Sequence, residues 1–530
     1  MQVASRLPDP KLKQRQRLGA GPIAAGIVGL LFLFPTIYLA FGTFDLGGDV
    51  WSAVTSRRTL IPLRNSIAVA LAVTALAGTA GTLAAWAVSR TDIPGRRLLK
   101  TVLPLPLVIP SFVGASAYLA AFGPGGLITW IPRPGGFWGS TILLSLLTYP
   151  YVYLPVLARL TTTTASLEEA ARMLDGNFVN TASNVVWPQI NGSVNAGMLL
   201  VFLYVLSDFG AVSLMRYDTI TRAIFSSRLF DRAASLTLGL ILAILALLVA
   251  GIGRRTPPPS HASGGAATQQ PTYQLGRWRL PTFGGVWALV SAGFLVPILV
   301  FATWVLRGSA TVGVGYSGLG DDLGFLVSPL VNSTVASIVA AVVAVFVVLP
   351  VAYVAGRRRH WLGSWAATTV SSVFALPGLV VALAIVFWAL QAPGPLASLY
   401  QTFPLLILAY VLHFGAQSLT SSQVAVASLP KVFDEAAQTL GADAARRFRT
   451  IELPLILPAV LAGGGLVMLS TLKELPATLL LAPIGFQTLA TQIWGAAEDG
   501  FFAEVGITSL VLIALSWFLT WLLVLRNQVN

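Results

Sequence analysis

The chain has 530 residues, of which 55% are hydrophobic and only 10% are charged, and its net charge is +13. A soluble domain carries about 25% charged residues, so this composition excludes a water-soluble globular protein and predicts a chain embedded in lipid. The sequence has no cysteine, which excludes disulfides and thiolate metal sites. Its three histidines, His261, His360 and His413, are far apart in sequence, and no metal site is assigned to them.

Apolar stretches long enough to cross a bilayer recur along the whole chain. A membrane helix needs about 20 mostly apolar residues, and twelve stretches meet that length. They predict an all-α integral membrane protein with twelve transmembrane helices. The predicted spans are 21–44, 65–88, 101–122, 139–160, 189–214, 234–253, 284–306, 331–355, 365–390, 403–420, 455–482 and 503–525.

The positions of lysine and arginine predict the orientation of these spans. Basic residues favour the cytoplasmic loops of membrane proteins, and most of them fall on one side if the basic N-terminal segment is cytoplasmic. Both termini are therefore predicted to lie in the cytoplasm, with the basic loop 215–232 as an exception on the outer side. Because the basic residues recur between apolar spans, the net charge does not indicate a nucleic-acid partner.

A segment rich in proline, glycine and glutamine divides the chain almost in half. Residues 254–283 have the composition of a flexible connector, and the orientation above makes it cytoplasmic. The sequence thus predicts a first half over 1–253 and a second half over 284–530.

The two halves are copies of one another. Each has six predicted spans, an even number, so both halves enter the membrane in the same sense, as parallel repeats. A substrate path is predicted at the interface between them. The pairs that correspond at a nearly constant offset are Asn65 and Asn332, Ser66 and Ser333, Pro110 and Pro377, Pro188 and Pro454, and Asp208 and Glu474.

A short amphipathic helix is predicted between the fourth and fifth spans of each half, at about 166–176 and about 430–441. The second copy starts with Pro430 and ends at Gly441, as helices often do. Its apolar residues fall at helical spacing on one face, and the alanines among them allow the close approach of another surface. These residues are Phe433, Ala436, Ala437 and Leu440.

Both loops resemble the Glu-Ala-Ala loop of ABC importer permeases. The second copy carries the whole pattern, including a later Ile-x-Leu-Pro at 451–454, whereas the first copy has Asp175 at the glycine position. The residues that carry the resemblance, and that would couple to an ATPase, are Glu169, Ala170, Ala171, Gly176, Glu435, Ala436, Ala437 and Gly441.

The resemblance implies the fold of a type I ABC importer permease in a bacterial cytoplasmic membrane. In that family the amphipathic helix is a coupling helix, which seats in a cleft of an ATP-binding subunit. The implied partners are two copies of an ABC ATPase and a periplasmic or lipoprotein substrate-binding protein. This sequence contains no G-x-x-x-x-G-K-[ST]. ATP binding and hydrolysis are therefore assigned to the partners, and the chain itself is predicted to be neither an enzyme nor the holder of a cofactor.

Two carboxylates inside predicted spans are candidates for the substrate path. Asp208 and Glu474 are equivalent, and ionisable groups within a membrane are costly and often functional. A second interpretation is that they bind local polar groups near helix ends. The segments 206–219 and 473–490 resemble fused ferric-iron permeases, which makes ferric iron the expected cargo.

Other cargoes and one other class of transporter remain open. Thiamine permeases share the fused architecture, and phosphonate and polyamine permeases are further relatives. An ion-gradient-driven secondary transporter with two six-span halves is an alternative class. The paired coupling helices favour the ABC importer, because a secondary transporter has no use for them.

Overall fold

The computed structural model is built from helices joined by short connections. The residues that it describes are 20–45, 49–162, 168, 170–171, 173, 178–228, 230–255, 272–310, 324–358 and 360–522. Within these ranges the only extended pairing consists of isolated bridges, such as the one between Thr91 and Tyr273. The predicted all-α membrane fold is therefore confirmed.

The described helices of the first half include long apolar helices and shorter connecting ones. A π-helical turn, Ala182–Val186, leads into α9. The helices are α1 (Ala20–Phe44), α2 (Asp49–Thr55), α3 (Arg57–Arg90), α4 (Arg96–Val102), α5 (Ser111–Ala121), α6 (Gly136–Thr148), α7 (Pro150–Thr162), α8 (Phe178–Thr181), α9 (Trp187–Ser207), α10 (Gly210–Leu214), α11 (Ile220–Ser227) and α12 (Arg232–Arg255).

The described helices of the second half follow a similar order. Another π-helical turn, Phe448–Glu452, leads into α21 just as the turn in the first half leads into α9. The helices are α13 (Arg279–Val290), α14 (Val296–Ala310), α15 (Gly324–Gly356), α16 (Trp361–Val373), α17 (Gly378–Gln391), α18 (Phe403–Ser428), α19 (Lys431–Thr439), α20 (Ala444–Arg447), α21 (Leu453–Leu472), α22 (Pro476–Leu481), α23 (Leu489–Asp499) and α24 (Phe502–Thr520).

Two of the predicted spans are bent rather than straight. In the described part of the chain, 10 helices are long and apolar enough to cross a membrane, or up to 12 if each bent pair counts as one span. The bends are 92° in the predicted span 101–122 and 104° in 365–390. Pro110 and Pro377 precede the second helix of each pair in an extended conformation. A proline at a helix break costs little, because it has no backbone N–H to leave unsatisfied.

The fifth and eleventh predicted spans end earlier than expected. Hydrophobicity predicts continuous helices over 189–214 and 455–482, but α9 ends at Ser207 and α21 at Leu472. The short helices α10 and α22 then follow a break in the chain. Hydrophobicity averaged over a span did not reveal this break, because the residues on both sides of it are apolar, although charged residues stand at each break.

The helices extend into both ends of the predicted linker. α12 continues to Arg255 and α13 begins at Arg279, so the segment between them is shorter than 254–283. Residues 256–271 lie outside the described residues. Residues 272–275 lie against the first half and are taken up below.

The core of each half is a group of three long helices. In the first half α3, α7 and α9 pack together, and in the second α15, α18 and α21 do the same. Equivalent glycines make these contacts close. A Cβ added at Gly197 would lie 2.7 Å from the Cα of Val152, and one at Gly463 would lie 3.0 Å from the Cα of Ser418. Small residues of this kind let membrane helices pack without a hydrophobic driving force.

Each half contributes its first membrane helix to the other half. α1 packs against α15, α16 and α17, while α13 and α14 contact α4 and α5. The approach is closest at Gly29, where an added Cβ would lie 2.4 Å from the Cζ3 of Trp365. The halves are therefore interlocked, and residues from both of them face the interface.

Candidate functional site

α19 forms the second of the predicted amphipathic helices. It begins directly after Pro430 and ends two residues before Gly441. Gly441 has a φ of +75°, in the left-handed region that glycine adopts without strain. The N–H of Ala442 donates to the carbonyl of Ala437 at 2.9 Å, which closes the end of the helix. The proline and glycine that predicted the helix therefore lie at its two ends.

The apolar residues of α19 divide into a buried and an exposed set. Ala437 is 3% exposed and packs against the chain, whereas Glu435 and Ala436 are exposed. Phe433 is 42% exposed, and Leu440, just past the helix, is 86% exposed. Large apolar side chains exposed on a short polar helix mark an interaction surface.

Polar contacts hold this loop at both ends. The guanidinium of Arg357, at the end of α15, donates to the backbone carbonyls of Leu429 and Pro430. At the other end Arg447 forms an ion pair of 2.9 Å with Glu452, which is 2% exposed. The start of the loop is thus fixed to the end of α15, and its far end is fixed to the turn that leads into α21.

The first coupling loop is held by a buried ion pair. The Nε of Arg90, the last residue of α3, lies 3.1 Å from a carboxylate oxygen of Glu168, and the two side chains are 1% and 3% exposed. The other oxygen of Glu168 accepts a hydrogen bond of 2.9 Å from the hydroxyl of Tyr273. We call Arg90, Glu168 and Tyr273 the linker clasp, because Tyr273 belongs to the segment that joins the halves.

Backbone contacts reinforce the linker clasp. The N–H of Tyr273 donates to the carbonyl of Arg90 at 2.7 Å, and the N–H of Leu275 donates to the carboxylate of Asp92 at 3.0 Å. The ring centroid of Tyr273 also lies 5.9 Å from that of Trp86. The end of the linker therefore packs against the end of α3 through an isolated bridge and these side-chain contacts.

The sequence analysis selected different residues of this first loop. Glu169 and Gly176 lie outside the described residues, while Ala170 is exposed and Ala171 is half-buried. Glu168 was missed, although it directly precedes the motif. The signal that could have found it is the arginine at the end of an otherwise apolar helix, since a buried guanidinium requires a carboxylate partner.

Asp208 and Glu474 cap the short helices that follow the breaks in α9 and α21. The carboxylate of Asp208 accepts from the N–H groups of Ala211 at 3.0 Å and Val212 at 3.2 Å. Glu474 accepts from the N–H of Ala477 at 3.2 Å. Both carboxylates therefore have local polar partners near helix ends, as the second interpretation of the sequence predicted. A role in the substrate path stays a prediction.

Glu474 also lies beside a histidine. A Cβ added at Gly378 would lie 2.8 Å from a carboxylate oxygen of Glu474 and 3.1 Å from the Nε2 of His413. The glycine therefore provides the space in which these two side chains approach one another. No group of three histidine, aspartate or glutamate residues converges as metal ligands within the ranges that the structure describes.

The far ends of α3 and α15 carry a second set of equivalent contacts. In each half an asparagine and the serine after it bind the segment that follows the short helix α10 or α22. Asn65 lies 25 residues before Arg90, which is about 38 Å along a helix, so these contacts lie at the opposite face from the coupling loops. The bonds are Asn65 to the Asp218 carbonyl at 2.9 Å, Asn332 to the Gln487 carbonyl at 2.9 Å, and the Ile220 and Leu489 N–H groups to Ser66 and Ser333 at 2.8 Å each.

Comparison with known proteins places this architecture in a family. Residues 348–526 match the model of the binding-protein-dependent transport system inner membrane component. The chain is also 30% identical over 508 residues to the Fe(3+)-transport system permease protein FbpB 2 of Haemophilus influenzae, which covers 94% of this chain and 96% of that relative. The chain belongs to this family of inner membrane components. It is an ABC importer permease, as the duplicated loops predicted.

Other relatives of the permease include both fused and shorter chains. A probable ABC transporter permease of Sinorhizobium fredii is 24% identical over 88% of this chain and 87% of its own length. The molybdenum transport system permease protein ModB of Mycobacterium tuberculosis is 30% identical over 39% of this chain but 83% of its own length. The shorter relative is therefore about as long as one half of this permease.

A cavity of about 730 Å³ lies between the two halves of the permease. Its lining combines residues that follow α5 and α9 in the first half with residues from α23 and the start of α24 in the second. Phe209 and Trp494, one from each half, stack with their ring centroids 5.2 Å apart. The cavity is thus a feature of the interface where the duplicated sequence predicts the substrate path.

Proposed function

We propose that this permease imports ferric iron in a cycle driven by ATP hydrolysis on separate ATPase subunits. The observation that supports ferric iron as the cargo is the similarity to a Fe(3+)-transport permease over 94% of this chain. This similarity extends through both fused halves. Shorter matches would support the transport class without the cargo.

The coupling loops support the ATPase partners. α19 presents Glu435 and Ala436 to the outside, with exposed Phe433 and Leu440 beside them. A partner that covers Leu440 would remove its apolar surface from water, which favours assembly by about 1.5–3 kcal/mol for a fully buried leucine. We propose that one ATPase docks on each loop, on 166–190 and on 432–456.

The proposed orientation places both termini and both coupling loops in the cytoplasm of a bacterium. It rests on the excess of lysine and arginine on that side. A substrate-binding protein would then deliver cargo to the opposite face, where Asn65 and Asn332 anchor the segments that follow α10 and α22. Asp208 and Glu474 would lie along the path between the two faces.

Import of an oxyanion is the second candidate. The name of the half-length relative from Mycobacterium tuberculosis specifies molybdenum transport, and that protein is as identical to this chain, over its shorter match, as the iron permease is. Thiamine stays open as a cargo from the fused architecture alone.

Transport in reconstituted vesicles tests the proposal. The permease would be purified with its ATPase and reconstituted with the binding protein outside, and uptake of ⁵⁵Fe(III), labelled molybdate and labelled thiamine would be followed separately. We expect uptake of iron that requires ATP and stops with a non-hydrolysable analogue. Uptake of molybdate or thiamine in place of iron would refute the cargo, and uptake driven by an ion gradient without ATP would refute the ATP-driven mechanism.

The coupling role has its own variant. Glu435→Ala should leave the permease folded, because the carboxylate is exposed, and should reduce transport per ATP hydrolysed, because the carboxylate would no longer contact the proposed ATPase. Glu435→Gln keeps the size and polarity of the side chain and serves as the matched control. If neither ATPase binding nor the transport ratio changes in Glu435→Ala, the loop does not couple through this residue.

A further inference from the structure

The cavity between the halves lies at the face opposite the coupling loops. Arg216 and Arg222, which line it, flank the segment that Asn65 and Ser66 bind near the far end of α3. Under the proposed orientation this is the outer face, where cargo would arrive. The cavity is thus placed to receive cargo before it enters the membrane.

Aromatic rings form one wall of the cavity. Phe209 stacks on Trp494 at 5.2 Å and an interplanar angle of 29°, and its centroid lies 4.6 Å from that of Phe225. All three residues line the cavity. Phe209 directly follows Asp208, whose carboxylate is engaged by backbone N–H groups. The aromatic wall is therefore adjacent in the chain to one of the candidate carboxylates of the path.

The charged lining of the cavity is mainly basic. Arg133, Arg216 and Arg222 line it, against the carboxylates of Glu498 and Asp499. Arg133 is held in place, because its guanidinium donates to the Pro124 carbonyl at 2.7 Å and lies 5.9 Å from the ring centroid of Phe502. Within the described residues, neither Arg216 nor Arg222 forms an ion pair with a carboxylate. Their charges are therefore available to a ligand.

Burial acts on one of the two carboxylates in the lining, Glu498. Partial burial raises the pKa of Glu498, a hydrogen bond from Trp494 opposes the shift, and the neighbouring charge of Asp499 adds to it. Glu498 belongs to α23, which is not among the membrane-spanning helices. The lining thus carries three arginines against two carboxylates, a formal excess of one positive charge.

Such a cavity suits an anion better than a bare trivalent cation. Three guanidiniums repel Fe³⁺ but donate hydrogen bonds to phosphate or carboxylate oxygens in a matching geometry. The volume of about 730 Å³ lies in the range of sites for small organic ligands, about 300–1,000 Å³, and far exceeds the size of one ion. The hydroxyls of Ser213 and Ser226 in the lining add further polar groups.

We propose that this cavity is the entry site for ferric iron carried as an anionic complex with an oxyanion or polycarboxylate. Arg133, Arg216 and Arg222 bind the oxygen atoms of the accompanying anion, and the aromatic wall formed by Phe209, Phe225 and Trp494 closes the cavity beneath it. This inference rests on the proposed function, because it describes the form in which the proposed cargo enters.

A double-label experiment tests the inference in the complete system. Vesicles that contain the permease, its ATPase and the binding protein would be offered ⁵⁵Fe(III) with [¹⁴C]citrate in one arm and with [³²P]phosphate in the other. We expect one labelled anion to accumulate with iron in a fixed ratio, and the arm in which this happens identifies the type of anion. Iron that enters without either label would overturn the inference and leave the proposed function intact. A labelled anion that enters without iron, or no iron uptake at all, would overturn both.

Two variants that each remove one charge give a second test, because the inference predicts opposite changes in binding affinity for them. Direct binding of ⁵⁵Fe(III)–citrate and ⁵⁵Fe(III)–phosphate would be measured on the permease in nanodiscs without the binding protein. Arg222→Gln should weaken binding about three- to tenfold and Glu498→Gln should strengthen it by a similar factor, as expected for one charge in a partly solvated cavity. A bare ferric ion would reverse both signs, and such a reversal would overturn the inference.

A further pair of variants guards against a folding defect or a different role for the arginines. Arg216→Gln should weaken binding in the same way as Arg222→Gln, and Arg216→Lys, which keeps the charge, should retain most of it. If these variants weaken only the docking of the binding protein and leave direct binding of the complex unchanged, the arginines form a protein-binding surface and the inference is wrong.

Discussion

The two coupling loops occupy equivalent places in the two halves, but different contacts hold them. In the second half Arg357 donates to backbone carbonyls at the start of the loop. In the first half the equivalent Arg90 forms a buried ion pair with Glu168, and Tyr273 from the linker completes the group. A duplicated fold can therefore keep the position of a loop while it changes the contacts that fix it. Among the described residues, the contact with the segment that joins the halves is seen at the first loop.

The largest expected difference in stability is between variants of the two arginines that hold the loops. Arg90→Ala would leave Glu168 buried without its ion-pair partner, which costs about 3–5 kcal/mol. Arg357→Ala removes charged hydrogen bonds to the backbone carbonyls of Leu429 and Pro430, for which about 1.5 kcal/mol is expected. Thermal unfolding of both variants in nanodiscs gives the comparison. An equal loss of stability in the two would contradict the difference in how the loops are held.

The next effect concerns the exposed apolar surface of the second loop. Leu440→Ser should weaken binding of the ATPase by about 1.5–3 kcal/mol, because the leucine would no longer bury an apolar side chain against its partner. Leu440→Met keeps the apolar surface and is the control. The affinity of the purified ATPase for the permease in nanodiscs is the measurement, and an unchanged affinity for Leu440→Ser would place the contact elsewhere on the loop.

A smaller loss of stability is expected when the contact between the linker and the first loop is removed. Tyr273→Phe removes only the hydroxyl that donates to Glu168, so a loss of about 1.5 kcal/mol is expected for a hydrogen bond to a charged group. Transport per ATP should fall as well, since the first coupling loop is less firmly fixed. Gln274→Ala alters the exposed neighbour and should change neither quantity. If Tyr273→Phe behaves like Gln274→Ala, the linker clasp does not position the loop.

The smallest effect compares the two carboxylates at the helix breaks. Asp208 accepts two backbone hydrogen bonds and Glu474 accepts one, so Asp208→Ala should cost more stability than Glu474→Ala, with about 1 kcal/mol as the scale for a lost helix cap. Asp208→Asn and Glu474→Gln keep an oxygen acceptor and remove the charge. Loss of iron uptake in these two variants with unchanged thermal stability would support a role in the substrate path. Normal uptake would restrict both residues to capping.

Much of the fold followed from local patterns. The length of the apolar runs predicted a helical membrane protein. Pro110 and Pro377, which the sequence analysis used only as evidence of the duplication, lie at the two positions where the structure bends. Where the prediction failed, the reason was also that it used only local patterns. Hydrophobicity could not show that α9 and α21 end at Ser207 and Leu472, because the residues beyond those breaks are as apolar as those before them.

The candidate site was predicted only in part. The position of the second coupling helix, 430–441, agrees with α19 because proline, glycine and the apolar spacing all lie within one short segment. The linker clasp was missed, since its members are distant in the chain: Tyr273 and Glu168 are separated by 105 residues. No local pattern brings such residues together.

The sequence by itself determined that this chain is a helical membrane protein, and it predicts a duplication in which each half carries a coupling loop. Run length, repeated positions and a short motif are properties of the chain before it folds. The tertiary structure alone decided that Glu168 binds Arg90 and Tyr273, that Asp208 and Glu474 cap broken helices, and that arginines and aromatic rings meet in one cavity. Those features arise from contacts between distant segments, and packing of the two interlocked halves creates them.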